Sequence, residues 1–308
     1  MSEPRAAVDV GSNSVRLLVV DAAGRRITRE MTVTRLGRGM DAAGRFDDAA
    51  LEHTVGTIGR YQDLWSAHGV DGAVRIAATA AVRDAADRDR FLDAVEHTTG
   101  LRPEVLSGDQ EASLAFLGAT TAVEVARPTA VIDVGGGSTE LIVGDADGRL
   151  VGSTSMQLGC VRITERHLSD DPPSASQLAD ARGMVDRLLA VADRDLADHG
   201  VSLHEVGALV GVAGTATTLG ALFRELEVYE EAAIHGTRVP AAELHRLSDQ
   251  LASMPSADRA QLGPMQPGRE DVIHGGALVL DVVLQRYGLQ DLVVSEADGL
   301  DGLVASLR

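Results

Sequence analysis

Apolar residues in this chain come in short runs, and twice three such runs precede any helical pattern. Residues 5–36 alternate apolar runs with turns at Gly11 to Ser14 and at Ala23-Gly24, which predicts three strands. The spacing of Leu51, Val55, Ile58, Leu64 and Trp65 then predicts a helix over about 48–68. "VRIAATAAV" predicts a strand, "DRDRFLDAVEHTTG" a helix ending at Gly100, and "PEVL" another short strand. "SGDQEASLAFLGATTAV" predicts a helix opened by a capping box, Ser107 answered by Gln110.

The pattern restarts after "EVARPTA", around residues 124–130. "TAVIDVG", "TELIVGD" and "LVGSTSMQLG" predict three strands, followed by a long helix over about 174–198. The strand "ALVGVAG" and a helix from Thr215 come next, then the helix "PAAELHRLSDQLASM". A helix near 270–287 and the strand "DLVVS" complete the series. Two halves of related order predict a duplicated α/β unit, with domains at 1–125 and 126–308.

The two restarts share a motif. "DVGSNSVRLLVVDAAG" begins at Asp9 and "DVGGGSTELIVGDADG" at Asp133, 124 positions later (133 minus 9). A glycine-rich strand–turn–strand sets backbone N–H groups on one side of its tip, where they can cradle phosphate oxygens. Glycine permits the close approach that a side chain would block. Gly11, Ser12, Asn13 and Ser14 form the first such loop; Gly135, Gly136, Gly137 and Ser138 form the second. An acid just before the turn repels phosphate unless a divalent cation bridges them, which marks Asp9 and Asp133 as candidate metal carboxylates. One Asp-x-Gly turn alone is commonly structural; the matched second copy favours a binding role.

Composition narrows the partners. The chain has 308 residues, a formal net charge of −18 and no lysine. Schiff-base chemistry and the P-loop lysine are thereby excluded, and any anion site must use arginine, backbone N–H or metal. The acidic balance disfavours nucleic acid as a partner. No apolar run reaches the roughly 18 residues of a membrane span. The single cysteine, Cys160, and an N-terminus that enters a strand without a basic lead segment lead us to expect the cytoplasm. His235, His245 and His274 lack metal-ligand spacing.

With these stretches in view, the sequence resembles the actin-like, sugar-kinase and Hsp70-type ATPases. Within that superfamily it is similar to the exopolyphosphatase / guanosine pentaphosphate phosphohydrolase family. The resemblance rests on "VDVGSNSVRLLV", "TRLGRGMDAAGRF", "AATAAVRDAADRDRFL", "LSGDQEASLAFLGA", "IDVGGGSTELIVG", "SMQLGCVRITERHL" and "PGREDVI". It implies two actin-like (ribonuclease H-like) domains with an interdomain cleft. It also implies a catalytic glutamate at Glu111 and phosphate-contacting arginines at Arg83 and Arg269. Asp9, Asp133 and Glu140 would hold Mg²⁺ or Mn²⁺, and a homodimer is expected. The stretch "GLDG" at 299–302 lacks the arginine of the "GLREG" ending found in many members. The absence of a further helical domain makes short chains the expected substrates.

Position alone reads Glu111 as a helix-start charge and Arg83 as a strand-end charge; the family motif is what makes them catalytic candidates. The leading expectation is a metal-dependent exopolyphosphatase, with guanosine pentaphosphate hydrolysis as the alternative. Further off stand a kinase or ATPase of the same superfamily and a non-catalytic polyphosphate- or nucleotide-binding regulator.

Overall fold

Period-two alternation builds the first sheet and decides what each of its faces carries. The computed structural model describes residues 3–38, 44–121 and 123–307; part of the "TRLGRGMDAAGRF" stretch lies outside them. β1 (Arg5–Val10), β2 (Ser14–Val20) and β3 (Arg26–Val33) form an antiparallel meander. β4 (Val74–Ala78) and β5 (Glu104–Val105) join the other side of β1 in parallel, giving the order β3-β2-β1-β4-β5. Around this sheet run α1 (Asp48–Ala67), α2 (Ala80–Asp84), α3 (Arg88–Thr99) and α4 (Gly108–Thr121). Ala6, Val8, Val10, Val15, Leu17 and Val19 face one core with Ile58, Trp65 and Phe91. Their alternates Ala7, Leu18 and Val20 face a second core on the opposite side. By the same alternation Asp9 and Arg16 belong to that second face.

The second sheet repeats the plan. β6 (Thr129–Val134), β7 (Thr139–Gly144) and β8 (Leu150–Met156) form its meander, followed by α5 (Cys160–His167) and α6 (Ala175–Ala197). β9 (Ala208–Val212) pairs in parallel with β6 and leads into α7 (Ala213–Phe223). After the short helix α8 (Glu231–Ile234) come β10 (Arg238–Pro240), α9 (Ala241–Ser253), α10 (Ser256–Arg259) and α11 (Ile273–Tyr287). β11 (Asp291–Val294) pairs in parallel with β9 and antiparallel with the edge strand β10. Read from β8, the order β8-β7-β6-β9-β11 reproduces that of the first sheet, with β10 added. Both sheets thus have the actin-like (ribonuclease H-like) arrangement.

The duplication holds to the atom. Gly11 N–H donates to Ser14 O at 3.0 Å, and Gly135 N–H to Ser138 O at 3.0 Å. In the second turn of each hairpin an aspartate, Asp21 or Asp145, accepts two backbone N–H bonds at 2.9 Å each. The register shifts at Val19/Val20 and Val143/Gly144 also coincide on the 124-residue offset.

The chain divides into two compact units. One holds the residues up to Gly118 together with those from Gly299 onward, and the other holds Ala119–Asp298. A final helix, α12 (Gly299–Ala305), returns to the first unit and packs Leu300, Leu303 and Val304 into its second core. Nothing in the sequence announces this return, because seven residues are too few to show a helix by periodicity.

Other boundaries move for local reasons. β4 stops at Ala78 and "AAVRD" turns helical, since alanine favours helix and the Thr79 N–H is already held by Val10 O at 3.1 Å. α7 begins at Ala213, whose φ of 58° makes the turn out of β9 that the sequence placed two residues later. α5 was not expected as a helix, and β10 was not expected at all. Among the described residues no helix is long and apolar enough to cross a membrane.

Candidate active site

In the first unit, loop 1 is held from behind. The carbonyl of Ser12 accepts from Gly37 N–H at 2.7 Å, and that of Asn13 from Thr34 and Arg35 N–H at 3.0 and 2.9 Å. A Cβ on Gly37 would press on Ser12, so glycine is what lets the segment lie this close. Thr79, after β4, adds a hydroxyl bond to Val10 O at 3.4 Å. With the Ser12 and Asn13 carbonyls occupied, the loop can meet an anion with fewer competing oxygens.

Glu111 stands in the first turn of α4, fixed by the expected capping box. Gln110 N–H donates to Ser107 Oγ at 3.2 Å, and Ser107 N–H donates to Gln110 Oε1 at 2.9 Å. Arg83, at the end of α2, donates to Leu106 O at 2.9 Å and sets the same Nη1 3.6 Å from Glu111 Oε2. Although 48% of the Glu111 side chain is exposed, partial burial raises its carboxyl above the usual range. Arg83 opposes this, Asp9 adds to it, and Arg16 opposes it more weakly.

Asp9 is not a bare carboxylate. Arg16 Nε donates to its Oδ2 at 3.0 Å, and an Arg16 Nη2 contact to the same oxygen completes an ion pair. Sequence reasoning missed Arg16, yet its signal was present. A turn closed between Gly11 and Ser14 puts residue 16 opposite residue 9.

The second unit shows the same position with opposite chemistry. Asp133 stands opposite Glu140, so two carboxylates share one face of the sheet where the first unit sets an arginine against an aspartate. Like charges directly opposed are destabilising. Ser155 Oγ donates to Glu140 Oε1 at 2.9 Å. This donor set, hard oxygens two at a time, fits Mg²⁺ or Mn²⁺, which keep several waters and use one or two protein carboxylates. Among the described residues no three His, Cys, Asp or Glu side chains form a group able to hold a metal.

Loop 2 is tied down by α5. Cys160 N–H donates to Gly135 O at 2.8 Å, Val161 and Arg162 N–H both donate to Gly136 O at 3.1 Å, and Arg162 Nε donates to Gly137 O at 2.7 Å. Gly159 caps this helix in contact with the loop, where a Cβ would collide with the backbone of Gly136 and Gly137. Thr215 Oγ1 donates to Val134 O at 2.9 Å, as Thr79 does toward Val10. Arg269 lies over Gly214 at the start of α7, close enough that a Cβ there would strike its guanidinium, and its Nε donates to Gln266 Oε1 at 3.0 Å. Gly37, Gly159, Gly214 and Thr215 carry no local signal, because each acts on a segment distant in sequence.

Thus Asp9, loop 1, Arg83 and Glu111 belong to the first unit, and Asp133, loop 2, Glu140 and Arg269 to the second. The chain is 40% identical over 319 residues to exopolyphosphatase 2 of Mycobacterium tuberculosis, covering 98% of each. It is 27% identical to a guanosine-5'-triphosphate,3'-diphosphate pyrophosphatase of Aeromonas salmonicida, covering 98% of this chain and 59% of that protein. The crystal structure of the type II variant of the Aquifex aeolicus Ppx/GppA phosphatase superposes with a TM-score of 0.91 at 26% identity, covering 99% of both chains. The Ppx/GppA phosphatase family model matches residues 18–307. Duplicated glycine-bearing hairpins, a glutamate at a helix start and this match over nearly the whole length agree: the chain belongs to the Ppx/GppA phosphatase family.

Proposed function

We propose that this protein is an exopolyphosphatase, a hydrolase that removes the terminal phosphoryl group of inorganic polyphosphate as orthophosphate. The observation that carries the reading is Glu111, a carboxylate of raised basicity 3.6 Å from Arg83 and within electrostatic reach of Asp9 and Arg16. The mycobacterial relative named an exopolyphosphatase supports the choice of substrate.

Hydrolysis requires a positioned water and neutralisation of charge on the transferred group. Glu111 takes a proton from water as its oxygen bonds to the terminal phosphorus, and the bridging P–O bond breaks toward the remaining chain. A general base of this kind contributes about 10²–10⁴-fold. Arg83 offers a planar fork to the phosphoryl oxygens and keeps the carboxylate oriented. Loop 1 in the first unit, and loop 2 with Arg269 in the second, would bind phosphate oxygens, and Asp133 and Glu140 would hold Mg²⁺ or Mn²⁺. When bound, that ion neutralises phosphate charge that the two carboxylates would otherwise repel.

The test is orthophosphate release from short polyphosphate, long polyphosphate, guanosine pentaphosphate and ATP, each with Mg²⁺ and with Mn²⁺. Release from polyphosphate exceeding that from the other two substrates is expected. Preference for guanosine pentaphosphate would move the assignment to the activity named for the Aeromonas relative, and release from none would leave a binding protein. Light scattering tests the homodimer, and cell fractionation tests the cytoplasmic location.

A further inference from the structure

A second basic feature lies beside Glu111 in the first unit. A cavity of about 530 Å³ opens among Arg83, the first turn of α3, the segment around β5 and the start of α4. Arg83, Arg88 and Arg102 line it against one acid, Asp89, in a chain where acids outnumber bases 46 to 28. Arg102 is held in place by Asp93 and Glu96, 2.7 Å from each, with Asp89 at 3.8 Å, so much of its charge is already matched. Arg88 is exposed, and among the described residues it enters no ion pair. Ser107 and Gln110, the capping pair of α4, also line it, together with Leu92 and Leu106.

Arg83 is common to both places. It is 3.6 Å from Glu111 and it lines the cavity, so an anion lying along this arginine can reach both. We infer that the cavity is a subsite for the inner phosphoryl groups of a polyphosphate chain whose end is at Glu111, with Arg88 as its principal cation. The inference rests on the exopolyphosphatase reading. A shallow, arginine-lined depression suits a flexible polyanion, which needs charge and hydrogen-bond donors but no enclosed apolar slot. Its consequence is chain-length preference: a chain that ends before the cavity gains nothing from Arg88, whereas one that crosses it does.

The experiment compares Arg88→Glu, Arg88→Lys and a charge reversal at exposed Arg187 of the second unit, using tripolyphosphate and long polyphosphate. For Arg88→Glu, kcat should stay within about twofold on both substrates. Its KM should rise about tenfold or more on the long chain and less than about twofold on tripolyphosphate. Arg88→Lys should remain near wild type, and the Arg187 reversal should move neither KM. Equal KM changes on both substrates, or none, would overturn the subsite while leaving the activity assigned. A wild-type protein that releases phosphate from neither chain overturns the activity and the subsite together. Tripolyphosphate and long-chain binding by Glu111→Gln, with and without Arg88→Glu, gives the same comparison without turnover.

Discussion

The catalytic role proposed for Glu111 and its contribution to stability pull in opposite directions. Its carboxyl is raised above the ordinary range, chiefly by burial. The folded protein therefore binds that proton more tightly than the unfolded chain does. Its contribution to stability is present at low pH and is lost as pH rises through the raised value. Replacing it should consequently not destabilise the protein at neutral pH. Glu111→Gln is expected to lower hydrolysis by about 10²–10⁴-fold with a melting temperature at or above wild type. The acid limb of kcat/KM should follow the same group: Asp9→Asn removes a raising influence and shifts it to lower pH, and Arg83→Gln shifts it higher. His274 shows the reverse sign. Burial in α11 lowers its pKa to about 4, and among the described residues neither ring nitrogen has a hydrogen-bond partner. Unfolding lets it charge, so stability is lost as pH falls from about 6.5 toward 4, by on the order of 3 kcal/mol. Urea melts of His274→Leu across that window should show a flatter acid decline.

At the scale of elements, the repeated solution is a loop whose carbonyls are occupied from behind. Loop 1 is held by the backbone of 34–37 and loop 2 by the first turn of α5. Gly159→Ala should be costly because the added methyl meets backbone, which cannot rotate away. We expect a loss of about 1–3 kcal/mol in chemical denaturation, as for other overpacked sites. A raised KM for polyphosphate should accompany it as loop 2 shifts. A variant with wild-type stability and KM would show that the α5 contact does not set the loop. The hairpins themselves were legible in the sequence because turn and register are local. Even Arg16 could have been found, since the closing Gly11–Ser14 bond fixes what faces Asp9. The clamps were not legible, since Gly37 and Gly159 meet their loops only after the chain has folded back.

At the scale of the molecule, the first unit is completed by the last segment of the chain. Leu300 and Leu303 are almost fully buried against Ala7, Leu18 and Ala77. Leu303→Ala should cost about 2–5 kcal/mol, read as a lower denaturation midpoint. The overall charge of −18 gives a different expectation. A polyanion approaching this surface is repelled at long range, so at fixed free metal the KM for polyphosphate should fall as ionic strength rises from very low values. A KM that climbs steeply over that range would mean that arginines such as Arg83 and Arg88 dominate the approach.

By itself the sequence determined the two hairpins, the acids before their turns, the capped helix bearing Glu111 and the family resemblance. All of these are written in contiguous stretches whose period and turn chemistry need no partner. Tertiary structure alone decided that Arg83 reaches Glu111, that Gly159 and Arg269 close on backbone far away in sequence, and that α12 returns to the first sheet. It also decided that partial burial raises the Glu111 carboxyl, since desolvation depends on what surrounds a carboxyl in space.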